Sequence, residues 1–545
     1  MSEIEFNLLD EPWIRVMTED CTVHEISLTQ ALLDSHNWRC LAGELPTQDI
    51  AILRLLLAVL HTIFYRVDLE GEDSPVEDEE ETLERWQMLW ELGHFPEKPI
   101  RDYLERWEDR FWLFHPEHPF YQVPAAQVGG FFPAKKLNGE LSESKNKARL
   151  FSPRTEEYKD SLSFAEAARW LITLLGFDDA ASIKVETGTG QGWLGKHANV
   201  FATGDTLFET LMLNLVFLRD GQTLWGENVP SWEMPVPKVA KKREIPLPDN
   251  QAALLTLQSR RLLLKKGVEN NVIGHYATGG DYFSKDKIDK MYCEQMIHWE
   301  KNKKKKSATL PQYVAVQPDV DKQMWQNFES IVDYSGECPF GITAWINRLY
   351  VEKILANRII HFSSVGVTYD SKHASITDIV SDHLDFHISL LEEGGKLWDL
   401  LIQDKIAQTE KAAWFLGVLA EELFKAAGGQ PDSDAEKGRI YQASQMYYSA
   451  VDIPFRRWLA SIDPDFGDAE ELRAKKDEQW RMEAYHLAMK QGQKMVQNVG
   501  EAAFAGRWVE GKFYSSPNAF NRFSWQIRNH FNMKSITKEK TDERP

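Results

Sequence analysis

The sequence predicts an α+β protein, with a large mixed N-terminal domain over residues 1–380 followed by an antiparallel four-helix bundle over 381–545. Three observations predict it. At 545 residues the chain is too long for one ordinary core. Ahead of residue 320, short alternating apolar runs are interspersed with capped helical stretches. From residue 377 onward, apolar residues recur at helical spacing in four stretches, 377–393, 396–427, 439–461 and 468–497, joined by short connections.

The elements follow in order. Residues 1–25 read as paired strands, with Trp13, Ile14 and Val16 answered by Val23 and Ile26. Ser27 with Gln30 forms a capping box opening a short helix to about Asn37. Residues 47–66 read as a buried helix, whose apolar stretch 50–64 carries Arg54 and His61 and is too short and polar to span a bilayer. The acidic run 70–84 reads as a solvated loop or linker. Residues 85–113 read as helices rich in tryptophan. Periodicity then disappears over 122–162, which reads as a long loop region. Ser163 with Glu166 caps a helix ending at Gly176, and another helix covers 205–219. Between 223 and 320, short β-like runs alternate with basic loops. Ser375 with Asp378 restarts helix, and the charged tail 537–545 reads as disordered.

Composition narrows the function. Hydrophobic residues make up 43% and charged residues 27%, as in soluble globular proteins. The acidic opening MSEIEF does not read as a secretory leader. Cys21, Cys40, Cys293 and Cys338 show no CxxC spacing, which fits a reducing, cytoplasmic setting without structural zinc. A net charge of −20 argues against bulk nucleic-acid binding. Basic residues nevertheless cluster at Lys238, Lys241, Lys242 and Arg243, at Arg260, Arg261, Lys265 and Lys266, and over 301–306. An acidic body with confined basic patches suits a subunit docked in a larger nucleoprotein that touches DNA at few points.

No complete catalytic motif is present. Gly190, Gly192, Gly195 and Lys196 match parts of a dinucleotide fingerprint and of a phosphate loop, but His197 stands where the latter needs Ser or Thr for magnesium. A nucleotide-binding enzyme using residues 190–196 is therefore the weaker alternative, beside a scaffold without DNA contact. His383 and His387 have the i, i+4 spacing of a zinc helix but lack the Glu of HExxH and a third ligand. His115 and His118, flanked by Pro116 and Pro119, read as a rigid turn.

Four segments carry a resemblance. Residues 6–16 read FNLLDEPWIRV, 115–123 HPEHPFYQV, 183–195 IKVETGTGQGWLG and 369–375 YDSKHAS. In this order they resemble the large subunit of the type I-E CRISPR surveillance complex Cascade, the CasA family, along nearly the whole chain. The resemblance implies a non-enzymatic subunit without a cofactor, acting away from membranes. It implies as partners the handle-binding, backbone and small subunits around the crRNA, a double-stranded DNA target, and a helicase-nuclease. The subunit would inspect DNA for the protospacer-adjacent motif (PAM) from the minor groove and open the duplex with a hairpin wedge, while its helical bundle packs against the small subunits.

Carried onto this sequence, the wedge falls on Lys372, His373 and Ala374. Better-known family members have Asn or Gln and then Gln in the first two places, so the wedge chemistry departs here. A cationic Lys372 would be drawn to the negative minor groove. The groove lysine aligns with Lys290, with Lys287 and Lys285 as rivals. The glycine loop falls on Ser182 to Lys184 by ungapped matching, or on Gly188, Gly190 and Gly192 by composition. Residues 148–160 match a loop that contacts guide RNA and PAM-side DNA, with Phe151 as its inserted aromatic. Such stacking contributes about 1–3 kcal/mol per base. The paired cysteines of some relatives are absent.

Overall fold

The structure, a computed structural model, describes residues 4–143, 154–179, 191–283, 294–302, 313–332, 341–371, 375–466 and 469–533. The chain divides into two units, one of residues 1–320, 335–356 and 360–383, the other of 321–334, 357–359 and 384–545. A single cut near 380 does not anticipate the two short excursions into the second unit.

The first unit opens with β1 (Glu5–Asn7), β2 (Ile14–Met17) and β3 (Val23–Ile26). As the alternation predicts, β2 and β3 pair antiparallel, Ile14 opposite Ile26. The Ser27 and Gln30 capping box starts α1 (Leu28–Leu33), and β4 (Cys40–Leu41) adds to the far edge of β2. Helix α2 (Pro46–Phe64) is long and apolar enough to cross a membrane, yet 94% of its apolar window is buried inside the protein, so it is a core helix. Its Arg54 and His61 are buried too.

The acidic run is only partly a loop, because Asp78 caps α3 (Glu79–Leu92) and Glu79, Glu80 and Glu81 fill its first turn. Acids there complement the positive end of the helix dipole. Helix α4 (Glu97–Arg106) and β5 (Trp112–Phe114) follow, and β5 pairs back onto β1. The region read as one long loop instead contains β6 (Gly130–Pro133), α5 (Ala134–Leu137) and α6 (Glu156–Lys159). The capped α7 (Phe164–Phe177) packs on α2.

Next come β7 (Asn199–Thr203) and α8 (Leu207–Asn214), a helix shorter than predicted because the chain turns into β8 (Leu218–Arg219) and β9 (Thr223–Leu224). The β-like stretch yields β10 (Arg243–Glu244), α9 (Gln251–Leu255), β11 (Arg260–Lys266), β12 (Val272–Gly279), β13 (Asp281–Tyr282), β14 (Trp299–Lys301) and β15 (Tyr313–Ala315). Strand β12 pairs with both β11 and β6, and that distant partner is what makes a strand of the short 130–133 segment.

Helix α10 (Phe328–Val332) belongs to the second unit and α11 (Gly341–Val351) to the first. The chain then forms two long strands, β16 (Ile359–Tyr369) and β17 (Ile376–His387), in a sheet of order β17-β16-β7. The predicted helix 377–393 is therefore wrong over most of its length. Ile376, Ile379, Val380 and Leu384 mimic a helical stripe, but β-branched residues dominate the start of the segment and β16 supplies the pairing that wins. His383 and His387 thus lie on a strand, not on one helix face.

The second unit holds α12 (Lys396–Ala427), α13 (Asp434–Ala460) and α14 (Ala469–Gln497), close to three of the predicted helices. Beyond the four predicted stretches the chain forms α15 (Glu501–Ala505), a hairpin of β18 (Arg507–Val509) and β19 (Lys512–Tyr514), and α16 (Ser516–His530). Helix α12 packs against α13, α14 and α16 around Tyr447, Phe455, Trp458 and Trp480. The buried Lys405 ammonium pairs with Asp404 at 2.7 Å and with Asp477 of α14, while Trp480 donates to Thr409 at 3.1 Å. These polar contacts fix how α14 lies along α12.

Candidate nucleic-acid interface

Strand β7 organises the predicted contact segments. On one side it pairs with β16, Val200 opposite Ser364. On the other, the Val200 N–H donates to the Met296 carbonyl at 2.8 Å, and the His298 N–H to the Ala198 carbonyl at 3.2 Å. The buried Asn199 amide donates to Leu194 O at 3.2 Å and to Val365 O at 3.1 Å, joining the residues before β7 to β16.

Three stems meet here. The first brackets residues 179–191. Helix α7 ends at Phe177, and the Gly192 N–H donates to the Asp178 carbonyl at 2.8 Å. A Cβ at Gly192 would overlap the Gly176 carbonyl, so glycine is needed for this approach. Arg260 Nε holds the Asp178 carboxylate at 2.9 Å, and Lys136 Nζ holds Asp179 at 2.6 Å, all four side chains being buried.

The second stem brackets residues 284–293. Phe283 meets Trp193 edge to face at 5.4 Å. On the far side, Arg54 grips Glu294 through two contacts of 2.7 and 3.1 Å and donates to Leu254 O at 3.1 Å. Their side chains are 3% and 0% exposed, so this ion pair lies within the core.

The third stem is the β16–β17 hairpin. The Asp370 N–H donates to Ser375 O at 3.0 Å, Ser375 Oγ donates to the Asp370 carboxylate at 3.1 Å, and Thr368 bonds Thr377 at 2.9 Å. The Ser375 hydroxyl thus closes a turn, which removes it from the predicted helix cap. Tyr369 Oη donates to the Phe177 carbonyl at 2.9 Å, tying this stem to the first. Gly195 makes room, since a Cβ there would overlap the Tyr369 hydroxyl. Burial, and then the nearby Asp178, pushes the Tyr369 phenol up, so the hydroxyl stays a proton donor.

Of the residues predicted to touch DNA, Gly192 lies in a stem, packed against Gly176. Ser182, Lys184, Gly188, Gly190, Lys285, Lys287, Lys290, Lys372, His373 and Ala374 lie outside the described residues, as does Phe151. Both flanks of the Phe151 segment are anchored, Glu143 by Lys159 at 3.0 Å and Arg154 by Glu166 at 2.7 Å. Lys303, Lys304, Lys305 and Lys306 also lie outside the described residues.

One of the other basic clusters requires correction in part, while Lys238, Lys241, Arg243 and Lys265 are exposed. Arg260 and Arg261 are buried in β11, paired with Asp178 and with Asp281 at 2.5 Å, so they are internal struts. Lys265 lies over Phe131 and Lys242 over Tyr282. The nucleotide motif has the wrong surroundings as well. A phosphate loop runs strand, loop, helix, whereas among the described residues helix α7 precedes the segment, a 3-10 turn at Leu194–Lys196 ends it and strand β7 follows. Gly192 and Gly195 serve packing.

Asp109, His115 and His118 place three ligand atoms within 4.8 Å of one another. His115 Nδ1, however, accepts the N–H groups of Glu117 and His118 at 3.2 and 3.1 Å. The ring proton of neutral His115 therefore sits on Nε2, facing Asp109 at 3.4 Å, and no lone pair remains there for a metal. The rings stack at 3.8 Å and His118 bonds the same carboxylate, making the segment a cross-braced turn.

Sequence reasoning missed Asn199, Tyr369 and the Arg54–Glu294 pair. Arg54 was a visible signal, a charge in the most apolar stretch of the chain. Its partner, far along the sequence, gave none.

This architecture recurs among CRISPR-associated proteins. Cse1 from Thermobifida fusca superposes with a TM-score of 0.80 at 27% identity, covering 97% of this chain and 98% of its own. A chain of a CRISPR RNA-guided surveillance complex shares the fold with a TM-score of 0.66 at 15% identity, covering 96% of this chain and 99% of its own. Residues 7–491 match the family described as CRISPR-associated protein Cse1. CRISPR-associated protein CasA/Cse1 of Thermus thermophilus is 38% identical over 234 residues, a stretch spanning 42% of this chain and 42% of that relative's length. The chain belongs to the Cse1 (CasA) family, the one its opening and HPEHPF segments resemble.

Beside the first stem, burial with a smaller contribution from Lys136 pushes the His275 imidazole down to about 3. Its reference value is about 6.5, so the unfolded chain binds a proton below that pH while the folded protein refuses it. The contribution of neutral His275 is complete above pH 6.5 and is lost as pH falls toward 3. His275→Leu should therefore gain on the wild type by up to about 1.4 kcal/mol per pH unit below 6.5. Urea unfolding at pH 7, 6 and 5 checks this, and a pH-independent difference contradicts it.

Proposed function

We propose that this protein is a non-catalytic subunit of a crRNA-guided surveillance complex that reads the PAM of double-stranded DNA from the minor groove and starts strand separation. The single observation that supports the reading is the meeting of three stems around β7, the first ending at Asp178 and Gly192, the second at Phe283 and Glu294, the third at Asp370 and Ser375. In this reading Lys290 and the glycine-rich segment enter the groove. Lys372, His373 and Ala374 form the wedge, and Phe151 stacks beside guide RNA or DNA. The minor groove offers a degenerate code, chiefly A·T against G·C. A reader there accepts several motifs, which suits a first checkpoint when guide pairing supplies the remaining specificity.

Helices α12, α13, α14 and α16 are proposed to act as an antiparallel four-helix bundle that packs against the small subunits. The assembled complex, in the cytoplasm, would then recruit the helicase-nuclease. The test is target binding by guide-loaded complexes assembled with and without this subunit. Omitting it should weaken binding of a PAM-bearing duplex by roughly 100-fold or more, while a pre-opened target loses much less. Equal duplex binding by both complexes would refute the reading.

A further inference from the structure

Resting on the reading above, we propose that Tyr369 is a positioning residue for duplex opening: its hydroxyl, bonded to the Phe177 carbonyl across the Gly195 gap, holds the hairpin turn at a fixed distance from the 179–191 segment. Tyr369 ends β16, three residues before Lys372, and Phe177 ends α7, two residues before the other segment begins. The 2.9 Å bond between them therefore joins the two stems close to where each leaves the described fold. Nearer the sheet, β7 holds only His361 to Val365 of β16. Beyond Val365 the strand has left its β7 partner, Gly366 and Val367 are the last buried residues before the turn, and past them small errors in angle grow toward the tip. Strands rise about 3.3 Å per residue, so the two residues from Val367 to Tyr369 carry the chain roughly 7 Å beyond that support. A tie at Tyr369 removes this freedom, and Gly195 is the residue that lets the ring seat.

A positioning role differs from a packing role in what it disturbs. Tyr369→Phe keeps the ring and loses the bond to Phe177, while Gly195→Ala pushes the hydroxyl off that acceptor. Each variant, in the assembled guide-loaded complex, should bind a PAM-bearing duplex roughly five- to tenfold more weakly, about the effect of one lost hydrogen bond. Binding to a pre-opened target should be unchanged. The double variant should be no worse than the weaker single one, because both break the same contact. A 2-aminopurine placed beside the PAM should brighten less on binding, reporting less unstacking.

Unchanged duplex affinity and unchanged 2-aminopurine signal in Tyr369→Phe would overturn the inference. So would equal losses on duplex and pre-opened targets, which mark a general folding defect. A Lys372→Ala/His373→Ala variant run in parallel separates this inference from the reading beneath it. If that variant loses duplex binding while Tyr369→Phe does not, the positioning role alone falls. If neither loses it, the PAM-reading assignment falls as well.

Discussion

Replacing Lys372 and His373 together by alanine is expected to weaken PAM-dependent duplex binding by about ten- to a hundredfold while leaving complex assembly intact. Losing a lysine from the minor groove removes one unit of charge from the contact and part of its salt dependence. An aromatic imidazole against a base edge or base face is worth about 1–3 kcal/mol by analogy with other stacking side chains. The hairpin that presents them is closed below the turn by its own bonds, Asp370 to Ser375 and Thr368 to Thr377, so truncating the tip leaves the stem in place. Filter binding or mobility shift at two salt concentrations reads the effect. Lys372 contributes if the wild type loses affinity more steeply with salt than the variant. Identical affinities and slopes would remove both residues from the interface.

The largest expected effect on stability is that of Arg54→Ala. Glu294 is fully buried, and Arg54 supplies its charge partner through two contacts. Removing one member of such a pair leaves an uncompensated charge in the interior and costs about 3–5 kcal/mol. Replacing both members by apolar residues should recover much of that loss, because desolvation then disappears along with attraction. Chemical unfolding of the isolated subunit distinguishes the two variants. A single variant as stable as the wild type would show that the pair is not a buried strut. Arg54→Ala should also weaken duplex binding, since Glu294 marks the point where the chain returns from the segment carrying Lys290.

Local signals were the legible ones. Both capping boxes, Ser27 with Gln30 and Ser163 with Glu166, sit where side-chain chemistry placed them, because a cap needs only residues three positions apart. The buried helix α2 and the long helices α12 and α14 followed from apolar content and period. The failures share one cause. Strand β6 exists through β12, far along the sequence, and β17 exists through β16. In β17 the apolar residues happen to fall at helical intervals, so local pattern and distant pairing disagreed and pairing won. The β18–β19 hairpin was missed because its strands are three residues each, too short to show alternation.

The candidate site divides along the same line. The segments expected to meet DNA were legible by kinship, as strings of residues. Their shared support was not, since Asn199, Tyr369, Arg260 and Glu294 acquire meaning only from partners elsewhere in the chain. Arg260 illustrates the hazard. In the sequence it belongs to a basic cluster, but in the fold it is buried against Asp178.

The bond from the Gly192 N–H to the Asp178 carbonyl has one more implication. Entry and exit of that segment are fastened side by side, and the fastening belongs to the rigid part of the molecule. The arrangement behaves as a socket whose closure depends on its two ends and not on the residues strung between them.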